Sequence, residues 1–321
     1  MKTKFLKIFI FIFIFSFMFY WIPRIFDKHR DARNWEYIYN TDYNIDILFM
    51  GSSLIFTSLN PYVIDPIIKY DSFNLGSSGQ NIIQAYYNLV EVLKYRKIEL
   101  IILDVNTIIT EDVKVGYIYN NLSGMHFSEN KINSFLNSIN RNSISDVIDA
   151  SKFSMFEEWG SIASLLIKEK FNWKNDIKSF SEILNEYGSI IDTRGFFKRE
   201  KYILLDDYNK AKDKKSVSRN ISLKNQKFFE DFINLCNENT IDLILLQIPV
   251  LEKRTIKEID FYTDKYNTPY YNFSFKNDKD YYNYKYEDFS DEVHFSANGS
   301  EKFSIVFADS LNKFLNYKKY K

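Results

Sequence analysis

The chain reads as an α/β protein, a doubly wound and mainly parallel sheet flanked by helices, with a mostly helical insertion and an N-terminal transmembrane helix. Three observations lead there. Short apolar runs bounded by glycine, proline or polar turns recur at 45–50 (IDILFM), 73–75 (FNL), 99–105 (ELIILDV) and 242–248 (DLILLQI). Segments with helical spacing of apolar residues separate them, and this alternation builds a sheet with helices on both faces. The runs at 99–105 and 242–248 are continuously apolar through their middles, as strands buried on both sides are.

The chain opens with Lys2, Lys4 and Lys7 and is almost wholly apolar over 5–22 (FLKIFIFIFIFSFMFYWI). That stretch of about 18 positions suffices for one helical crossing of a bilayer core. Tyr20 and Trp21 suit the far interface. A secretory leader begins similarly, but no small-x-small cleavage site follows, so residues 1–26 are expected to be an uncleaved membrane anchor. Arg24, Lys28, Arg30 and Arg33 flank its far end. The orientation expected is a cytoplasmic amino terminus with the folded domain outside: a single-pass membrane protein with an extracytoplasmic domain. Residues 27–44, polar, charged and aromatic, read as a juxtamembrane connector, and 45–321 as the α/β domain.

Within that domain the strand at 45–50 runs into Gly51-Ser52-Ser53 and a short helix interrupted by Pro61. The strand ending at 73–75 leads into Gly76-Ser77-Ser78-Gly79 and an amphipathic helix from 81 to about 95. The strand at 99–105 follows. From 107 to about 220 Ser, Asn, Lys and aromatic residues mix and helical periodicity is patchy, which reads as the mostly helical insertion. Its Trp159, Trp173, Phe196 and Phe197 serve either as the insertion's own small core or as a cover over the active face. Regularity returns with a helix at 223–237, the strand at 242–248 ending at Pro249, a helix from 254 to about 266, a short strand at 270–273 and a closing helix from 297 to about 316.

Composition narrows the chemistry. The 42 basic and 42 acidic residues cancel, so no whole-molecule field draws the protein to nucleic acid. A 45% hydrophobic content supports a packed core rather than disorder. Cys236, the single cysteine, excludes an internal disulfide, a thiolate-rich zinc site and an iron–sulfur cluster, and its place on the apolar stripe of a helix suggests a buried structural thiol. No metal or cofactor is called for.

Three features carry the chemistry. A serine at the carboxyl end of a parallel strand stands where open α/β sheets hold their ligands, and Gly51 permits the tight turn that exposes Ser53. Ser52 or Ser53 could equally serve as a helix cap. Asp291-Glu292-Val293-His294 precedes the closing helix. His29 and His126 lie in the connector and the insertion, which leaves His294 as the general base for a core serine, with Asp291 able to turn back and orient its imidazole. A solvated acidic loop is the alternative there, since Glu287, Asp288 and Glu292 are close in sequence. The Gly76 amide, the Asn106 side chain and the Ser53 amide are the candidate oxyanion donors; an ordinary turn glycine and a turn asparagine are the alternatives for Gly76 and Asn106.

Serine after the first core strand, glycine after the second, asparagine after the third and Asp-x-x-His before the last helix is an order that resembles the SGNH, or GDSL-type, hydrolases. The resemblance covers 45–106 and 241–307. It implies Ser53 as nucleophile, Gly76 and Asn106 as oxyanion residues and Asp291/His294 as the activating pair. Ser52 stands where that family often has Asp or Thr, and the third block, Leu103-Asp104-Val105-Asn106-Thr107, lacks the usual Gly and following Asp; Asp104 has no assigned role. The anchor, the GSS form of the first block and the long insertion are similar to membrane-anchored D-alanine transfer proteins and related envelope O-acetylation proteins. That similarity implies a membrane-bound O-acyltransferase as partner and an envelope polysaccharide or teichoic-acid-like polymer as acceptor.

The expected activity is thus esterase or O-acyltransferase chemistry through Ser53, His294 and Asp291. Two other classes compete. One is a non-catalytic binding or assembly subunit with the same fold. The other is a phosphate- or nucleotide-binding module using the GSS and GSSG turns; neither a Walker A nor a GxGxxG pattern is present, and such a module would leave Asp291 and His294 without a purpose.

Overall fold

The computed structural model describes residues 30–139, 194–275 and 284–319, except positions 41, 43, 112, 215 and 253. The anchor expected at 1–26 and the middle of the insertion, with Trp159 and Trp173, lie outside the described residues. Among the described residues, no helix is long and apolar enough to cross a membrane.

In chain order the elements are α1 (Arg30–Tyr39), β1 (Ile47–Met50), α2 (Ser53–Ser58), α3 (Pro61–Ile68), β2 (Ser72–Asn74), α4 (Ile82–Val92), β3 (Leu100–Asp104), α5 (Asn106–Ile109), α6 (Val115–Leu122) and α7 (Glu129–Ser138). After the undescribed stretch come α8 (Leu205–Lys212), β4 (Val217–Arg219), α9 (Leu223–Glu238), β5 (Asp242–Gln247), β6 (Arg254–Ile256), α10 (Ile259–Tyr266), β7 (Tyr270–Asn272), a 3-10 turn (Tyr286–Asp288) and α11 (Ala297–Lys319).

Five strands form one sheet in the order β2-β1-β3-β5-β7, and every neighbouring pair is parallel. Alternation along each strand divides its side chains between two cores. Leu48, Met50, Ile101, Leu103, Leu243 and Leu245 face one side, where α4 contributes Ile82, Ala85, Leu89 and Val92 and α9 contributes Phe229, Phe232, Ile233 and Cys236. Ile47, Phe49, Leu100, Ile102, Ile244 and Leu246 face the other, covered by Leu54 and Ile55 of α2, Ile64 and Ile68 of α3, and Phe303, Phe307 and Leu311 of α11. Both faces being covered, the strands read as unbroken apolar runs. Burial pushes the Cys236 thiol up to about 12. The amphipathic α4 begins where Asn81 and Gln84 exchange side-chain and backbone hydrogen bonds, a reciprocal cap visible in the sequence as Asn-x-x-Gln.

The strand order decides where a site can lie. The chain leaves β1 toward β2 on one side and, after α4, returns to β3 on the other. The crevice at the carboxyl ends of β1 and β3 is therefore the switch point of the sheet.

Two expectations need correction. Residues 30–39 are not a free connector: α1 buries Trp35 and Ile38 (1% and 0% exposed) in the first core, the Trp35 indole N–H donates to the Asn121 carbonyl at 3.1 Å, and Arg96 donates to the Ile38 and Tyr37 carbonyls. The helix expected from 254 starts at Ile259, because Arg254–Ile256 pairs in parallel with Val217–Arg219 and Glu258 takes a left-handed conformation. The described flanks of the insertion join the two cores. Ile118, Leu122 and Met125 pack in the first core and Ile203, Tyr208 and Ala211 in the second, and the flank also contributes the strand β4.

The stretch returning from the insertion lies along the outer edge of β2. The Asn74 amide donates to the Arg194 carbonyl at 2.9 Å, and Gly195, at φ +81°, runs so close that a Cβ there would stand 1.7 Å from the Asn74 carbonyl oxygen. Arg194 forms an ion pair with Asp65 in the middle of α3.

Candidate active site

At the end of β1 the chain turns at Gly51, whose φ of +150° and surroundings both demand glycine. A Cβ would meet the Asp104 Cβ at 2.6 Å and Ile55 Cγ1 at 2.8 Å. The two following serines take different tasks. Ser52 is the N-cap of α2: its hydroxyl oxygen accepts from the Leu54 amide and its proton goes to Asp104 Oδ2 at 2.8 Å. Ser53, the first residue of α2, instead places its Oγ 2.7 Å from His294 Nε2.

His294 sits on a short loop closed at its base. Phe289 and Phe295, both fully buried, form an antiparallel bridge, and the Ser290 amide donates to the His294 carbonyl at 2.8 Å. Gly299 lets α11 approach this base, since a Cβ there would stand 1.9 Å from the Asp288 carbonyl oxygen. Within the loop Asp291 Oδ1 accepts the amides of Val293 and His294, each at 2.9 Å, and both of its oxygens lie 2.9 Å from His294 Nδ1. A carboxylate only accepts, so Nδ1 carries the ring proton and Nε2 presents its lone pair to Ser53.

Burial pushes the Asp291 carboxyl up, but the hydrogen bond and charge of His294, the Val293 amide and Arg199 outweigh it and hold the group well below the ordinary carboxylate range. Arg199 Nη1 lies 2.6 Å from Asp291 Oδ2 and also donates to Ser290 Oγ at 3.0 Å. It arrives on the returning flank of the insertion, pinned where the Phe197 amide meets the Phe56 carbonyl, the Ala297 amide meets the Arg199 carbonyl and the Ile203 amide meets the Phe289 carbonyl. Nothing local in Lys198-Arg199-Glu200-Lys201 marks it; its partner is 92 residues away.

Asp104, at the end of β3, is fully buried and joins the nucleophile turn to Asn106. It accepts the Ser52 hydroxyl, the Asn106 amide at 3.0 Å and Asn106 Nδ2 at 2.9 Å. Burial pushes its carboxyl up, with the donors from Asn106 and Ser52 acting against that. Asn106 Oδ1 in turn accepts from Arg254 at 3.3 Å, and Arg254 is held by Glu252.

The three expected oxyanion donors fare differently. The Ser53 amide stands in the first turn of α2, where amides have no acceptor within the helix. Asn106 Nδ2 spends one proton on Asp104 and has a second. The Gly76 amide lies beside the turn, whose Gly51 carbonyl accepts the next amide, that of Ser77, at 3.0 Å, but it donates to Asn74 Oδ1 at 3.1 Å. Asn74, which the sequence did not single out, is itself tied to the Ile55 and Leu59 carbonyls. Among the described residues, no three His, Cys, Asp or Glu side chains converge as metal ligands. No protein-family model matches the chain, and in a search of curated proteins no sequence matches it.

Proposed function

We propose that the protein is a serine esterase or O-acyltransferase of the SGNH hydrolase type. The observation that carries this reading is the unbroken relay from Ser53 Oγ through the His294 ring to Asp291, set at the carboxyl ends of β1 and β3. His294 takes the Ser53 proton as Oγ attacks an ester or thioester carbonyl. The Ser53 amide and the second Asn106 Nδ2 proton stabilise the oxyanion. The tetrahedral adduct then expels the alcohol or thiol, which leaves with the proton from His294. Water or a sugar or polyol hydroxyl, deprotonated by the same imidazole, attacks the acyl-enzyme and frees Ser53. The resemblance to envelope O-acetylation and D-alanine transfer proteins extends the proposal: a membrane-anchored, extracytoplasmic enzyme acting on acyl esters of an envelope polymer beside a membrane-bound O-acyltransferase.

The test is labelling with a fluorophosphonate read by intact mass. One adduct is expected on the wild type and on Ser52→Ala, and none on Ser53→Ala. A second reading, a non-catalytic binding or assembly subunit, is favoured by the engaged Gly76 amide, which leaves fewer donors for an oxyanion. Folded wild-type protein that stays unlabelled would favour that subunit over the enzyme.

A further inference from the structure

Asp291 uses its two oxygens for different ends. Oδ1 is fixed from within its own loop by the Val293 and His294 amides, so the carboxylate stays aimed at the imidazole whatever else binds it. Oδ2 receives the guanidinium of Arg199, a full positive charge brought from another part of the chain. The orienting work is already done without Arg199. What Arg199 adds is charge.

We propose that Arg199 is a positioning residue that acts on His294 through Asp291, offsetting the carboxylate so that the imidazole remains unprotonated, and able to take the Ser53 proton, into more acidic solution. A carboxylate at Nδ1 stabilises imidazolium, and a guanidinium on the same carboxylate subtracts from that stabilisation while repelling the imidazolium directly. Among the described residues, several other charges around the loop form ion pairs: Glu292 with Lys214, Asp288 of the 3-10 turn with Lys302 of α11, Glu252 with Arg254, and Lys198 with Glu200; Lys201, Lys285 and Glu301 also lie on these segments. Glu287 is hydrogen-bonded by the Tyr286 phenol. Each such pair contributes little net field at the ring, whereas Asp291 touches the ring itself and Arg199 touches Asp291. The stretch carrying Arg199 is the return from the insertion, so the insertion would help set the pH range of the site.

The inference takes the role of His294 as base from the proposed function, but its test reads the imidazole itself. The full-length protein in detergent, labelled with 13C at histidine Cε1, is titrated by NMR, with the His294 signal identified by its loss in His294→Gln. Arg199→Gln retains donors without the charge and Arg199→Lys retains the charge without the fork. The His294 midpoint is expected to rise by about half to one pH unit in Arg199→Gln and by less than half that rise in Arg199→Lys. The acid limb of fluorophosphonate labelling should move by the same amount. An unchanged or lowered midpoint in Arg199→Gln, or an equal rise in both variants, would overturn the inference. Failure of the proposed function would show separately, as absent labelling with the titration shift intact.

Discussion

Gly51→Ala puts the geometry of the nucleophile turn to a quantitative test. The added methyl would overlap two side chains at once, the Asp104 Cβ at 2.6 Å and Ile55 Cγ1 at 2.8 Å, with Thr107 Oγ1 at 3.1 Å beyond them. Asp104 is anchored by Ser52 and Asn106 and cannot retreat, and Ile55 is fully buried. Overpacking of a dense core costs about 1–3 kcal/mol. Placing a side chain at a φ of +150° adds strain of about 1 kcal/mol. The sum, about 2–4 kcal/mol, would lower the urea midpoint by about 1 M for an m-value of about 3 kcal/mol/M. Relief by moving the turn displaces Ser53 Oγ from its 2.7 Å contact with His294, and a shift of about 1 Å lowers a positioned reaction by about 100-fold. The assays are urea unfolding followed by circular dichroism and the rate of fluorophosphonate labelling. A midpoint unchanged within about 0.2 M together with an unchanged labelling rate would refute the account of why this turn needs glycine.

Two further outcomes follow from the same contacts. Trp35→Ala removes a side chain that is 1% exposed and hydrogen-bonded to Asn121, and is expected to destabilise the domain by about 3–5 kcal/mol; a change below about 0.5 kcal/mol would mean that α1 is a dispensable connector after all. Asp291→Asn is expected to slow labelling by about 100-fold or more by favouring the wrong imidazole tautomer, while changing the acid limb of stability. The folded Asp291 is held below its unfolded value, so its contribution is complete above about pH 4 and is lost as pH falls toward the folded value. The variant should therefore lose less stability than the wild type on acidification below about pH 4, as read by urea midpoints across that range.

What the sequence made legible follows from how local each cause is. The parallel strands stood out because burial on both faces demands unbroken apolar residues, as in Leu100–Asp104 and its neighbour Asp242–Gln247. Ser53, Asp291 and His294 could be proposed from type and order, since a strand-end serine and an Asp-x-x-His before a helix are compact patterns, and the structure brings the three within hydrogen-bonding distance. The residues of the turn alone left either Ser52 or Ser53 as a helix cap, and the choice of Ser53 as nucleophile came from the family resemblance; in the structure the neighbours Asp104 and His294 separate the two serines. Helix α1 was hidden because its inward face includes the buried polar residues Asp31 and Asn34 beside Trp35 and Ile38, which blurs the apolar stripe. Arg199 acts on Asp291 across 92 residues, and the Asn74 side chain that holds the Gly76 amide two residues on is itself fixed by the Ile55 and Leu59 carbonyls of another segment; no pattern around either residue announces these contacts.

The return of the insertion along β2 has an architectural consequence. An outermost strand of a sheet offers a row of unspent amides and carbonyls to any other chain that can extend beside it. Here the Arg194 carbonyl occupies the Asn74 amide, and Gly195 admits the backbone where no side chain would fit. The same few residues go on to deliver Arg199 to Asp291. Trimming the insertion to a minimal loop would therefore do two things together: uncover a strand edge that favours self-association, and strip the candidate site of its only guanidinium contact to Asp291 among the described residues. Guarding the sheet and completing the site are tasks of one continuous strip of chain, and selection on either would preserve both.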